Sequence, residues 1–243
     1  MKFPGIKVLA FSIPALLLMG ASAVASADSI TNGAFTTPGS STTYGGGTVN
    51  WTGGQYGYEP TGFGWTFVGG VGVQQDGSPW GFSNAPNGAG QSAFMQSYTG
   101  SLASYPLVST ANPSTISQVL TGLTVGDQYT LSFYLEQRPG MGANPVTVSI
   151  DDLRGLDPTF AAVAPPDNDT WTLYSDTFIA TNTSEALIFA VSYPDGGTPT
   201  DSDTGLAGVS LAQTPEPGTL MLLGTGLLAL AGLGKQRLGK KNV

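Results

Sequence analysis

The chain has 243 residues, of which only 10% are charged, with 35 Gly, 17 Pro, no Cys and no His. Those absences remove disulfide scaffolds, thiolate zinc sites, Cys nucleophiles and His-based triads. A formal net charge of −8 removes basic nucleic-acid binders as well.

The charge is unevenly placed. Six of the eight basic residues lie at the ends (Lys2, Lys7, Lys235, Arg237, Lys240, Lys241), while residues 28–214 hold Arg138, Arg154 and fifteen carboxylates. Such asymmetry marks addressing segments on either side of an acidic body. Residues 1–27 open with Lys2 and Lys7, continue through an apolar run at 8–19, and close on Ala25-Ser26-Ala27. That order is a secretory signal peptide, leaving Asp28 as the new N-terminus. A permanent anchor is the alternative, but a span needs roughly twenty apolar residues, more than this run supplies.

Residues 28–213 are enough for one all-β domain. No apolar stripe of helical period runs through them. Residues 36–60, with Gly45-Gly46-Gly47, are the least strand-like and read as an excursion over the surface. Strand-like runs follow at 64–68, 91–96, 115–120, 128–137, 145–151, 171–180, 186–193 and 208–212. Within 128–137 one face is Tyr129, Leu131, Phe133 and Leu135; within 145–151 it is Val146, Val148 and Ile150. Short alternating runs between Gly, Pro, Asn and Asp clusters predict a single antiparallel, jelly-roll-like β-sandwich. Trp171 and Leu173 share one parity and Phe178 has the other, so a bulge near 174–176 is expected to return Phe178 to the core.

The last segment, 214–241, begins with Thr214-Pro215-Glu216-Pro217-Gly218. Residues 218–234 are seventeen uncharged residues, and a basic tail closes the chain. As a helix the run would reach about 25 Å, short of a hydrocarbon core of about 30 Å. Two prolines around a carboxylate hold the backbone extended, in a form that a processing enzyme could grip at the membrane surface. This three-part arrangement resembles the PEP-CTERM sorting signal. The resemblance implies export in a Gram-negative bacterium that makes an exopolysaccharide. It also implies recognition by an exosortase, a transient stay in the inner membrane, and removal of the tail on the way to the cell surface or matrix.

Several stretches of the body resemble the galactose-binding-like sandwiches that accompany such tails and are related to carbohydrate-binding modules. They are 30–35 (I-T-N-G-A-F), 58–67, 85–96, Ile116-Ser117-Gln118, 122–139, 171–180 and 203–211. In related modules, carboxylates after the N-G pair and before the last V-S-L ligate a structural Ca²⁺. This chain has Ala34, Ala207 and Gly208 there.

Paired carboxylates could run a glycosidase, but most acids here lie in Asp/Gly/Pro turns, where they cap the backbone. A Ser-x-x-Lys nucleophile is impossible in a body without Lys. The domain therefore reads as non-catalytic. Aromatic rings suit the flat faces of sugars, so Trp51 and Trp80 in Gly-rich loops, with Tyr58 beside the first, are candidate glycan contacts. Trp65 and Trp171 sit in strand patterns and read as core. Tyr134 and Arg138 lie on the face away from the core stripe; Arg138 is expected to pair with Glu136 or to fork onto sugar hydroxyls. Ca²⁺ is the one cofactor that the acids could hold, with Asp195, Asp201 and Asp203 the leading group, ahead of Asp151-Asp152 with Asp157 and Asp167 with Asp169. Two readings remain at this point: an exported sandwich that binds polysaccharide, or a structural matrix protein that binds other chains.

Overall fold

A computed structural model describes residues 30–36, 41–44, 47–50, 56–97, 113–142, 144–151, 162–191, 202–214 and 225. The expected signal segment 1–27 and the sorting residues Pro215, Glu216 and Pro217 lie outside them. Among the described residues no helix is long and apolar enough to cross a membrane.

The described chain is a two-sheet antiparallel β-sandwich. A separate hairpin pairs β1 (Ser41–Tyr44) with β2 (Gly47–Asn50). The larger sheet contains β3 (Tyr56–Tyr58), β5 (Val71–Gln75), β6 (Gln91–Ser97), β8 (Gln128–Gln137), β10 (Thr172–Ile179) and β12 (Ser202–Gln213). Its order is β10-β8-β12-β6-β5-β3. The smaller sheet is β4 (Thr66–Val68), β7 (Ser114–Thr121), β11 (Ser184–Val191) and β9 (Thr147–Asp151), in that order. From β7 onward successive strands alternate between the two sheets, the wrapping that defines a jelly-roll-like sandwich.

Alternation builds the core. Tyr129, Leu131, Phe133 and Leu135 of β8 are all buried and meet Val148, Ile150, Leu187 and Phe189 of the smaller sheet in one cluster. Phe133 and Phe189 cross edge to face, with centroids 5.2 Å apart.

The segment around I-T-N-G-A-F has a structural task. Asn32 adopts a positive φ of 53° and ties its own turn, with Oδ1 accepting from Thr36 N at 2.8 Å. Its Nδ2 donates to Phe63 O at 2.9 Å. Its carbonyl accepts from Trp65 Nε1 at 3.1 Å. Buried Gln118 staples the same segment, accepting from Thr31 N and donating to Thr31 O and Gly64 O at 2.7–2.8 Å. Three of the stretches that carry the resemblance, 30–35, 58–67 and 116–118, are thus tied to one another by hydrogen bonds.

The structure corrects four expectations. There is no bulge at 174–176, because the β10 register runs unbroken from Thr172↔Leu135 to Ile179↔Gln128. Phe178 reaches the core because the inward face of β10 is the Thr172, Tyr174, Phe178 parity, and Leu173 points outward. Trp171 is consequently not in the main core: it is half-buried on the outer side, donating from Nε1 to Ser83 O at 3.1 Å. Residues 36–60 contain the hairpin and β3, the latter an edge strand of the larger sheet. The bulge of this fold lies in β12, between Ala207 and Ser210. The strand expected at 208–212 is only the end of β12, whose first half, with Asp203, Gly205 and Gly208, hides its pattern in small and polar residues.

Candidate functional site: a groove on the outer face of the larger sheet

The outer face of the larger sheet has two parts. Over its upper half the β5–β6 connection, residues 76–90, folds back and lays down its own apolar layer. Asp76 Oδ1 accepts from Ala85 N at 2.9 Å, which closes the loop on itself. Trp80 and Phe82 then pack with Phe94, Tyr58, Tyr56 and Trp171 in a second cluster. Small residues make room below: a Cβ on Gly72 would stand 2.6 Å from the Phe94 ring, and one on Gly205 would stand 2.7 Å from the Trp171 ring.

This layer absorbs three of the aromatic and basic residues that the sequence offers for glycan contact. Trp80 is 5% exposed, stacked on Phe94 with centroids 4.1 Å apart and planes at 23°. Tyr58 is buried and donates its hydroxyl to Gln96 Oε1 at 2.5 Å. Arg138 lies 4.5 Å from the centre of the Trp80 ring, donates from Nε to Trp80 O at 3.1 Å, and pairs through Nη1 with Asp203 Oδ2 at 2.9 Å. Its ion partner is thus Asp203 and not Glu136. Glu136 is fully buried and accepts from Ser83 N on both oxygens, at 3.0 and 3.2 Å. Burial pushes its carboxyl above the ordinary range; the Ser83 bonds oppose that and nearby Asp169 adds to it. Trp51 lies outside the described residues.

Below the loop the outer face is open. A groove of about 460 Å³ has Tyr134 and Ser132 of β8, Leu173 of β10 and Ser210 of β12 on its floor, with Asn87 and Ala34 at its sides. Leu173 is 54% exposed. The β12 bulge shapes the floor. Gly208 has a positive φ of 58°, and a Cβ there would stand 3.0 Å from Tyr134 Cδ2, so the bare backbone backs the Tyr134 ring. On the other side of the bulge Val209 N donates to Gly33 O at 3.0 Å. A Cβ on Gly33 would stand 1.9 Å from Val209 O, so only glycine allows that approach. Among the described residues that line the groove none is charged.

Of the residues expected from sequence that are among the described residues, the structure brings only Tyr134 to this groove. Ser132, Leu173 and Ser210 were missed, because outward polar positions and one outward Leu are the default of any half-exposed strand, and Asn87 was missed as an ordinary turn residue between Pro86 and Gly88. Gly208 inside an apolar alternation was the available signal, since glycine in a strand marks a bulge or a close approach. For metal, Asp203 is occupied by Arg138, and Asp195 and Asp201 lie outside the described residues. Asp167 and Asp169 stand in an exposed loop, Asp151 is half-buried at the end of β9, and Asp152 and Asp157 lie outside the described residues. Among the described residues no three acidic, His or Cys side chains are grouped to hold a metal ion. Ala34 and Gly208, two of the positions where the resemblance puts Ca²⁺ ligands, line the groove without offering a side-chain oxygen.

Residues 213–236 match the PEP-CTERM protein-sorting motif. No curated protein matches the chain. Among solved structures, the chain is similar to a carbohydrate-binding module, TmCBM61, in complex with β-1,4-galactotriose. That pair shares 13% identity, with 62% of this chain and 88% of the other covered and a TM-score of 0.42. The CBM22-1 xylan-binding domain of Paenibacillus barcinonensis Xyn10C gives 18%, 65% and 90%, with a TM-score of 0.43. A Stig cyclase from Fischerella sp. TAU gives 16%, 77% and 97%, with a TM-score of 0.49. The chain carries a sorting motif at residues 213–236, directly after a two-sheet antiparallel β-sandwich.

Proposed function

We propose that this is an exported surface or matrix protein that binds neutral polysaccharide, without catalysis, in the groove floored by Tyr134. The sorting motif supports export and processing at a membrane, with an exosortase as the processing partner. The carrying observation for glycan is the groove itself. A flat ring, backed by the Gly208 backbone, lies beside exposed Leu173, with the hydroxyls of Ser132 and Ser210 and the amide of Asn87 around it. Rings take the apolar faces of pyranoses, while hydroxyls and amides meet the equatorial oxygens. A groove whose described lining is uncharged, on a body of two arginines and fifteen carboxylates between residues 28 and 214, favours neutral over acidic polymers.

The test is a calorimetric titration of the exported protein with the host's exopolysaccharide and with neutral glucans and galactans, at low and moderate salt. Binding that changes little with salt and is lost in Tyr134→Ala supports the reading, because stacking has no long-range Coulomb term. Absence of binding to every glycan, together with capture of matrix proteins, moves the function to a structural role.

A further inference from the structure

The end of the sandwich from which β12 leaves differs in chemistry from the rest of the body. Thr214 is fixed there, donating its N–H to Gln128 O at 2.8 Å and sharing a hydroxyl bond with Thr130 at 3.0 Å. Gln213 Nε2 donates to Asp127 Oδ2 in the turn below β8. The sorting motif starts at residue 213, inside this hydrogen-bonded strand end, so no linker separates the sheet from the motif. Four peptide steps lead from Thr214 to Gly218, where the apolar run begins. Fully extended, they span about 14 Å. A headgroup layer is roughly 5–8 Å deep per leaflet. With the apolar run in the hydrocarbon, the strand exit is held within about 10 Å of the outer edge of the headgroups.

The side chains at this end suit that position. Val125 at the tip of the β7–β8 turn is 57% exposed. Ile179, the last residue of β10 and the partner of Gln128 in the ladder, is 60% exposed. Val119, two residues before the end of β7, is 61% exposed. Exposed Thr121, Thr124, Thr181 and Thr183 complete the rim. Two carboxylates here are engaged within the fold: Asp127 with Gln213, and buried Glu185 with Thr181 N, Thr181 Oγ1 and Asn182 N at 2.7–3.1 Å. Exposed Asp176 stands three residues up β10, about 10 Å away. The one basic residue among the described residues, Arg138, is at the far end of β8, about 30 Å off.

We infer that this exit end, marked by Val125 and Ile179, is a membrane-contact face, resting on the bilayer that holds the apolar run of the unprocessed chain. The inference rests on reading residues 218–234 as membrane-inserted. Each aliphatic contact is weak alone, but the tether makes the encounter intramolecular, so weak contacts suffice to fix orientation. Bound this way, the sandwich stands with the exit end down, the Arg138 end outermost and the Tyr134 groove facing sideways.

A chain with no native Cys allows single-site labelling. Val125→Cys, Ile179→Cys and, near the opposite end, Thr170→Cys would carry an environment-sensitive fluorophore on the full chain. The labelled chain is reconstituted in phosphatidylethanolamine–phosphatidylglycerol vesicles with a headgroup-attached quencher. The expected result is loss of about half or more of the emission at 125 and 179 and little at 170. A spacer of about 20 Gly/Ser residues between Thr214 and Pro215, reaching about 25 Å on average, should leave that quenching in place. Equal quenching at all three sites, or its loss with the spacer, would overturn the contact face. So would shielding that needs membranes containing the processing enzyme, which would make the partner a protein. A chain that does not float with vesicles at all would instead refute the membrane-inserted reading of the tail. Thermal melts of the labelled variants exclude unfolding as the cause of a negative result.

Discussion

Arg138 donates from Nη1 to Oδ2 of Asp203 at 2.9 Å, tying the end of β8 to the start of β12 on the outer face of the larger sheet. Asp203 is fully buried and the Arg138 side chain is 19% exposed, so the pair is desolvated on one side. Breaking such a pair from one side strands a buried charge. Arg138→Met should therefore destabilise by about 3–5 kcal/mol. Arg138→Lys keeps the charge but cannot reach Trp80 O and Asp203 together from a rigid fork, and should cost about 1–2 kcal/mol. The double variant Arg138→Met/Asp203→Leu should recover most of the loss. Urea unfolding of the three variants checks this; an additive double variant would contradict it.

Trp80 is the keystone of the second cluster, between Phe94 on one side and the Arg138 guanidinium 4.5 Å from its centre. Truncation would leave a hole between the folded-back loop and the sheet. Trp80→Ala should cost about 3–5 kcal/mol in stability. It should lower the Tm even when no glycan is present, which separates packing from ligand contact.

Buried Glu136 gives the fold a pH dependence of definite sign. Its carboxyl titrates above the ordinary range, chiefly through burial, so the folded chain holds this proton more tightly than the unfolded one. Its contribution is fully present below the ordinary carboxylate pKa and is lost as pH rises through the raised value. Glu136→Gln mimics the protonated form and retains an acceptor for Ser83 N. The variant should therefore melt higher than the parent at neutral pH, with the gap closing as the solution is acidified. Parallel melts across the acid range test the sign; a gap that widens in acid would contradict it.

The strand alternation of β8 and β9 was readable because both strands bury one face and leave the other polar, so Tyr129 to Leu135 and Val146 to Ile150 declare their side. β5 was not readable. Gly72 and Gln74 occupy its outer face under the Phe94 ring and the 76–90 loop, and both faces are covered, so period-2 contrast disappears. Trp80 was misplaced for a related reason: a Gly-rich loop reads as solvent-facing, and only the tertiary fold-back reveals that it buries its own rings. The pairing of Arg138 with Asp203 spans 65 residues and depends on strand order, which local pattern does not encode. Tyr134 was legible as an outward residue, but its groove depends on the β12 bulge and on the Gly33 segment docked beside it.

Export should trim the chain at both ends. Mass spectrometry of the surface-released protein should give a species beginning at Asp28 and ending near Pro217. A mature form that still contains Lys240 and Lys241 would reduce the C-terminal segment to a permanent anchor.

Gly208 and Tyr134 supply the sharpest test of the groove, because one glycine hydrogen controls the ring above it. Gly208→Ala places a methyl 3.0 Å from Tyr134 Cδ2 on a residue with φ of 58°. The backbone strain alone should cost about 1–2 kcal/mol. The methyl must also lift or rotate the ring, which changes the floor that a sugar would meet. Leu173→Ala removes an exposed side chain from the same groove with no strain, so its stability should change by less than about 0.5 kcal/mol. If the groove binds glycan by stacking, Gly208→Ala should lose affinity beyond its loss of stability, and Leu173→Ala should lose affinity at nearly unchanged Tm. Titration of both variants with the bound polysaccharide, alongside thermal melts, separates the two effects. Full affinity in Gly208→Ala and Leu173→Ala together would place any glycan site elsewhere on the protein.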